Sequence, residues 1–149
     1  MPAACVCETD LQAGLRATLY TLPARYGKMP DFAHIAANAK GSSVVSEVSL
    51  AAAGERVRDF ALAFEGYVLI AADGVYEFPI QTDDGARLYI DGRLVTKVLN
   101  GITEGVDKTP KALGALHLAK GYHTIKIEYA NIGGEHPQLA FDQYALFSC

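Results

Sequence analysis

Residues 74–95 read Gly74-Val75-Tyr76-Glu77-Phe78-Pro79-Ile80-Gln81-Thr82-Asp83-Asp84-Gly85-Ala86-Arg87-Leu88-Tyr89-Ile90-Asp91-Gly92-Arg93-Leu94-Val95, and this stretch admits little but short strands joined by tight turns. Tyr76, Phe78 and Ile80 recur at every second position, as do Leu88 and Ile90, the period of a half-buried strand. Asp91-Gly92 is a hairpin signal, because a two-residue type I′ turn needs positive φ at both central residues. Asp83-Asp84-Gly85 is a turn of another kind. Adjacent carboxylates repel, so an ordered pair needs a cation, a basic neighbour or solvent to tolerate it.

The same grammar runs along the rest of the chain. Strand candidates fall at 15–22, 44–50, 59–70, 74–82, 86–90, 94–99, 115–118, 122–130 and 138–147. Residues able to take positive φ separate them at Asp73-Gly74, Asp91-Gly92, Lys120-Gly121 and Gly133-Gly134. Within 122–130, Ile125, Ile127 and Tyr129 are expected inward and Thr124, Lys126 and Glu128 toward water. Helical periodicity is confined to residues 32–40, where Phe32, Ile35, Ala36 and Ala39 make one or two turns, too few for a layer. Pro79 lacks a ladder donor and belongs at a sheet edge or opposite a non-bonded position. Residues 97–113, with Gly101, Gly105 and Pro110, read as a long surface loop. Eight or nine short antiparallel strands of this kind predict an all-β fold, a β-sandwich or jelly-roll-like barrel.

Bulk properties narrow the function. At 149 residues the chain suits one self-sufficient core, read here as an N-terminal tail over 1–13 followed by a sandwich domain over 14–149. The net charge of −4 with 13 scattered basic residues argues against a nucleic-acid partner. Apolar runs are broken by Glu65, Gly66 or Asp73 well short of the roughly 20 residues that span a bilayer. Met1-Pro2-Ala3-Ala4 lacks the basic region and apolar core of a secretory signal, so the N-terminus reads as the remnant of a longer parent or of an engineered end. Cys5, Cys7 and Cys149 lie at the two ends of the chain, and termini are often close in space. Two readings stand side by side. Either Cys149 bridges Cys5 or Cys7, closing a loop worth on the order of 4 to 5 kcal/mol, or all three are reduced thiols on frayed tails.

Several segments together resemble the protective-antigen-type (PA-fourteen) β-sandwich domain, found in bacterial toxins, secreted glycosidases and fungal adhesins. The matching segments are Met29-Pro30-Asp31-Phe32, Phe64-Glu65-Gly66-Tyr67, Gly74-Val75-Tyr76-Glu77-Phe78 and Thr82-Asp83-Asp84-Gly85-Ala86-Arg87-Leu88-Tyr89-Ile90-Asp91-Gly92. They continue with Leu118-Ala119-Lys120-Gly121-Tyr122-His123, Ile125, Ile127, Tyr129 and Gly133-Gly134. The similarity runs in order from about Gly14 to Phe147.

The resemblance implies a specific site. In sugar-binding members the Asp-Asp pair ligates Ca2+ and sugar hydroxyls complete the shell, which suits an ion that takes six to eight hard oxygens at about 2.3 to 2.6 Å. Asp83 and Asp84 match that motif. Asn131, with Gly133 and Gly134 in the following loop, is the expected second contribution to metal and ligand. The implied role is a non-catalytic carbohydrate-binding accessory domain of an exported protein (secreted, periplasmic or at the cell surface). Its partners would be a glycan and the catalytic domain of a parent protein.

This sequence also departs from the pattern. Leu99-Asn100-Gly101 stands where many members carry a more acidic run, and there is no Trp to stack on sugar. The alternative is a structural or protein-interaction sandwich without metal, in which one Asp of the pair caps backbone donors and the other is solvated. Asp91 is read as a turn-former, His117 and His123 as structural, and His34 and His136 as exposed. Catalysis is not expected: a glycosidase holds two carboxyls about 5 to 10 Å apart across one bond, and neither a nucleophile elbow nor a phosphate loop occurs.

Overall fold

Two eleven-residue strands, β4 (Phe60–Ile70) and β11 (Gly121–Asn131), organise the molecule and pair antiparallel at every position, from Ile70↔Gly121 to Phe60↔Asn131. The computed structural model describes residues 11–23, 30–53, 59–78, 80–83, 85–98, 111–112, 115–131, 138–141 and 144–148. On the free edge of β11 lies β7 (Gly85–Ile90), followed by β8 (Arg93–Val98) through the Asp91-Gly92 turn. Asp91 and Gly92 take φ of 52° and 79°, the left-handed pair that a type I′ turn requires.

The other edge of β4 is shared end to end by two strands. β2 (Leu15–Thr21) occupies Phe60 to Glu65, and β13 (Ala145–Ser148) occupies Tyr67 to Leu69. Gly66 sits at the junction. A Cβ there would lie 2.2 Å from the Phe147 carbonyl oxygen and 2.6 Å from Leu15 Cδ2, so the two strands meet on β4 only because this residue has no side chain. β3 (Ala39–Val45) flanks β2, and β1 (Gln12–Ala13) flanks β13, completing eight strands; pairing thus begins before Gly14.

Smaller sheets complete the sandwich: β5 (Gly74–Glu77) with β10 (Ala115–Leu118), and β6 (Ile80–Asp83) between β9 (Lys111–Ala112) and β12 (Gln138–Ala140). Phe60, Phe64, Leu88, Ile90, Ile127 and Tyr129 of the large sheet share one buried cluster with Phe78, Ile80, Leu118, Leu139 and Phe141. At about 1.5–3 kcal/mol for each fully buried large side chain, this cluster outweighs every polar contact described below. The fold is the expected all-antiparallel sandwich, and no helix among the described residues is long and apolar enough to cross a membrane.

Several boundaries differ from the sequence reading. Residues 74–82 form two strands in different sheets, β5 and β6, and 138–147 likewise divides into β12 and β13. Alternation marks extended chain but not the point at which it changes layer. The strand expected at 44–50 lies earlier, as β3, and Leu50–Ala53 is a 3-10 turn. The helical pattern at 32–40 yields only the 3-10 turn Ala36–Asn38. Its apolar residues instead cover the outer face of the large sheet, where Leu22, Ile35, Ala61 and Ala130 form a second buried cluster with Tyr20 and Phe32 packed against it. Pro79, most of the 97–113 loop and the three cysteines lie outside the described residues.

Candidate functional site

The acidic motif falls where the chain changes sheet. Asp83 ends β6 in the three-stranded sheet, paired with Gln138, and Gly85 begins β7 in the large sheet, paired with Ala130. Only one position in the sequence separates the two strands. The chain crosses again between Asn131, the last residue of β11, and Gln138, the first of β12. Register therefore sets the two crossings side by side: the partner of Asp83 closes the second crossing, and the partner of Gly85 immediately precedes Asn131. An acidic link and an asparagine 48 positions apart in sequence are brought to one end of the sandwich by backbone pairing alone.

Asn131 is fully buried. Asp84, Gly133 and Gly134 lie outside the described residues, as does Asn100. Among the described residues no group of three His, Cys, Asp or Glu side chains is placed to hold a metal. Carboxylate, amide and backbone-carbonyl oxygens, the donor types that the sequence assigns to this site, are hard donors suited to calcium and poorly suited to softer metals.

Two polar clusters were not legible in the sequence. The first is on the outer face of the large sheet, where Glu128 pairs with Arg87 and Lys126 with Tyr89 in register. Glu128, expected to face water, is buried with its side chain 7% exposed. Arg87 Nη1 lies 3.2 Å from Glu128 Oε1 and donates to the Pro30 carbonyl at 3.0 Å. Lys126 Nζ lies 3.6 Å from Glu128 Oε2 and 4.8 Å from the centre of the Tyr89 ring. A buried carboxylate survives because two cations and a hydroxyl face it. Burial, then the Glu128 charge and a hydrogen bond to Glu128, raise the Tyr89 hydroxyl above its ordinary 10.0, so Tyr89 remains a neutral donor. Residues 31–33 overhang this floor and leave a cleft of about 430 Å³. The alternation of Lys126 and Glu128 was visible, but nothing in the sequence sets β7 beside β11 or folds residues 30–33 over both.

The second cluster joins the Asp91 turn to β11. His123 Nδ1 lies 2.7 Å from Asp91 Oδ2, and its Nε2 lies 2.8 Å from the Ala119 carbonyl oxygen. Asp91 Oδ1 accepts from the Thr124 amide at 3.2 Å. Burial disfavours charge on His123, but the Ala119 and Asp91 hydrogen bonds and the Asp91 charge outweigh it, and the imidazole pKa is raised above 6.5. Asp91 is thus turn-former and anchor at once; His34 is exposed as expected, His117 is exposed rather than structural because it lies on the outward face of β10, and His136 lies outside the described residues.

The PA14 domain family model matches residues 14–142. No curated protein matches the chain by sequence. Among solved structures, the A domain of epithelial adhesin 9 from Candida glabrata in complex with Galb1-4GlcNAc superposes with a TM-score of 0.71 at 14% identity, covering 99% of this chain and 94% of that one. The PA14 domain of the MpAFP antifreeze protein gives 0.66 at 16% identity, covering 99% and 96%. The GH31 alpha-xylosidase from Xanthomonas citri gives 0.57 at 18% identity, covering 92% of this chain and 15% of that one.

Proposed function

The chain belongs to the PA14 domain family, and from that membership we propose that it is a non-catalytic carbohydrate-binding module of an exported protein, taking glycan through calcium at the Asp83-Asp84 corner. The observation that carries this reading is the register: Asp83↔Gln138 and Gly85↔Ala130 draw the acidic link and Asn131 to the same end of the sandwich. Asp83 and Asp84 would supply carboxylate oxygens, and Asn131 with the Gly133-Gly134 loop would supply neutral ones. A calcium ion held by such a set offers open positions that vicinal hydroxyls fill in place of water.

The adhesin fold neighbour in complex with Galb1-4GlcNAc supports the ligand class. The alpha-xylosidase, of which the match covers 15%, supports the role of accessory domain to a catalytic parent. The metal-free interaction module would be favoured by a broad exposed apolar patch. Among the described residues the large exposed hydrophobics are Val44, Val75 and Leu94, one on each of β3, β5 and β8.

Thermal melting with calcium or EDTA, together with a glycan array, tests the proposal. A site present in the folded state only, at calcium about one-hundredfold above Kd, adds about 2.7 kcal/mol, or roughly 10 °C for a domain of this size. Asp83→Asn and Asp84→Asn should each abolish that rise and the glycan binding. If calcium leaves Tm unchanged and no glycan binds, the reading fails; if binding survives both substitutions, the site lies elsewhere.

A further inference from the structure

The outer-face cleft is a built site that the calcium corner does not use. We propose that it is a second, metal-independent binding site for a neutral saccharide ring, seated between residues 31–33 and the floor formed by Arg87, Tyr89, Lys126 and Glu128. Its volume of about 430 Å³ falls within the roughly 300–1,000 Å³ typical of small-molecule sites.

The charge arrangement selects the ligand class. Arg87 and Lys126 both face the buried carboxylate of Glu128, and Asp31 Oδ1 accepts from the Ala33 amide at 3.0 Å. An incoming ion of either sign would have to compete with these contacts, and drawing one cation away would leave the buried Glu128 with a single cation beside the Tyr89 hydroxyl. A neutral ligand rich in hydroxyls faces no such penalty. It can donate to carboxylate oxygens and accept from guanidinium and ammonium without dismantling the wall. Phe32 adds aromatic surface to the lining, which suits the C–H face of a pyranose, while one face of the Tyr89 ring is taken by Lys126.

The cleft is also preorganised. The bond from Arg87 to the Pro30 carbonyl ties the overhang to the floor, the T-shaped contact of Phe32 with Tyr20 at 5.4 Å fixes one wall, and Glu128 holds Arg87 and Lys126 in place. Little ordering is left for a ligand to impose. Arg87 and Tyr89 lie three and five residues beyond Asp84 on β7, about 10 and 16 Å along the strand at roughly 3.3 Å per residue. The site is therefore separate from the corner. It shares with the proposed function the class of ligand and none of the corner's residues.

Amide chemical shifts of the 15N-labelled chain, titrated with galactose, glucose, mannose, N-acetylglucosamine and lactose in EDTA, provide the test. Saturable shifts at Phe32, Ala33, Arg87, Tyr89 and Lys126 are expected with at least one of these sugars, unchanged in Asp83→Asn and Asp84→Asn. Lys126→Ala should weaken them by about tenfold or more. Ala33→Trp, at an exposed turn position, should block the cleft without removing a floor contact, and it keeps the test decisive if Lys126→Ala does not fold. Absence of shifts at the cleft with every sugar, shifts that persist in Ala33→Trp, or shifts that require calcium or the two aspartates would each overturn the proposal. Loss of calcium binding at the corner leaves the EDTA result untouched, so the two readings fail separately.

Discussion

Raising the pH should loosen the join between the Asp91 turn and β11. Both ring nitrogens of His123 face acceptors, the Asp91 carboxylate at 2.7 Å and the Ala119 carbonyl at 2.8 Å. A neutral imidazole has one N–H, so both contacts are hydrogen bonds only in the imidazolium. A hydrogen bond to a charged group is worth about 1.5–3 kcal/mol when well buried. Asp91 is 46% exposed, which discounts its ion pair to about 0.5–1 kcal/mol, and the carbonyl bond adds about 1 kcal/mol. Deprotonation leaves one of the two contacts intact in either tautomer. The loss is then about 1 kcal/mol, or roughly 4 °C in Tm.

The sign follows from the raised pKa of His123: the stabilisation is fully present below the unfolded value of 6.5 and is lost as pH rises through the folded pKa. Melting curves from about pH 5.5 to 8.5, across the range in which histidine titrates, should show the wild type losing about 4 °C more than His123→Gln. Asp91→Asn keeps a residue that tolerates positive φ and an acceptor for the Thr124 amide but removes the charge, and should erase most of the difference. Added salt should shrink it. A wild-type advantage over His123→Gln that is flat with pH, or that grows as pH rises, refutes the reasoning, as does an NMR titration placing His123 at or below 6.5.

Two further substitutions probe the frame around the sites. Gly66→Ala places a Cβ 2.2 Å from the Phe147 carbonyl oxygen, so β13 or β2 must move off β4; a loss of about 2–3 kcal/mol in denaturant unfolding is expected, and an unchanged midpoint would contradict the packing at that junction. Arg87→Met leaves the buried Glu128 facing only Lys126 and Tyr89 and should cost about 2–3 kcal/mol, while adding Glu128→Gln should recover at least about 1 kcal/mol; a strictly additive double mutant would show that the pair is not coupled.

The sandwich was legible because a two-residue period survives burial. Leu88 and Ile90, and Ile125, Ile127 and Tyr129, alternate in sequence and are all buried in the fold. The Asp91-Gly92 turn was legible because its left-handed dihedrals depend on the two residues themselves. The places where strands change sheet were not. The crossing at Asp84 depends on β6 and β7 finding partners in different sheets, a choice made by Gln138 and Ala130 some 50 residues away.

The candidate sites divide along the same line. Asp83 and Asp84 stand out in the sequence because two adjacent carboxylates are locally unusual, but the pairing of Asp83 with Gln138 and of Gly85 with Ala130 is a matter of register. Glu128, Arg87 and Tyr89 have no local signature. Each is an ordinary outward position on a strand, and they become a cleft only when β7 pairs with β11 and residues 30–33 close over both. By itself the sequence determined which residues are extended, which turns are tight and which face of each strand is apolar, since those follow from neighbours within a few positions. Only the tertiary structure decided which strands adjoin, why Glu128 is buried, why Gly66 must lack a side chain and where His123 finds its two acceptors, because each depends on contacts between segments that the chain holds far apart.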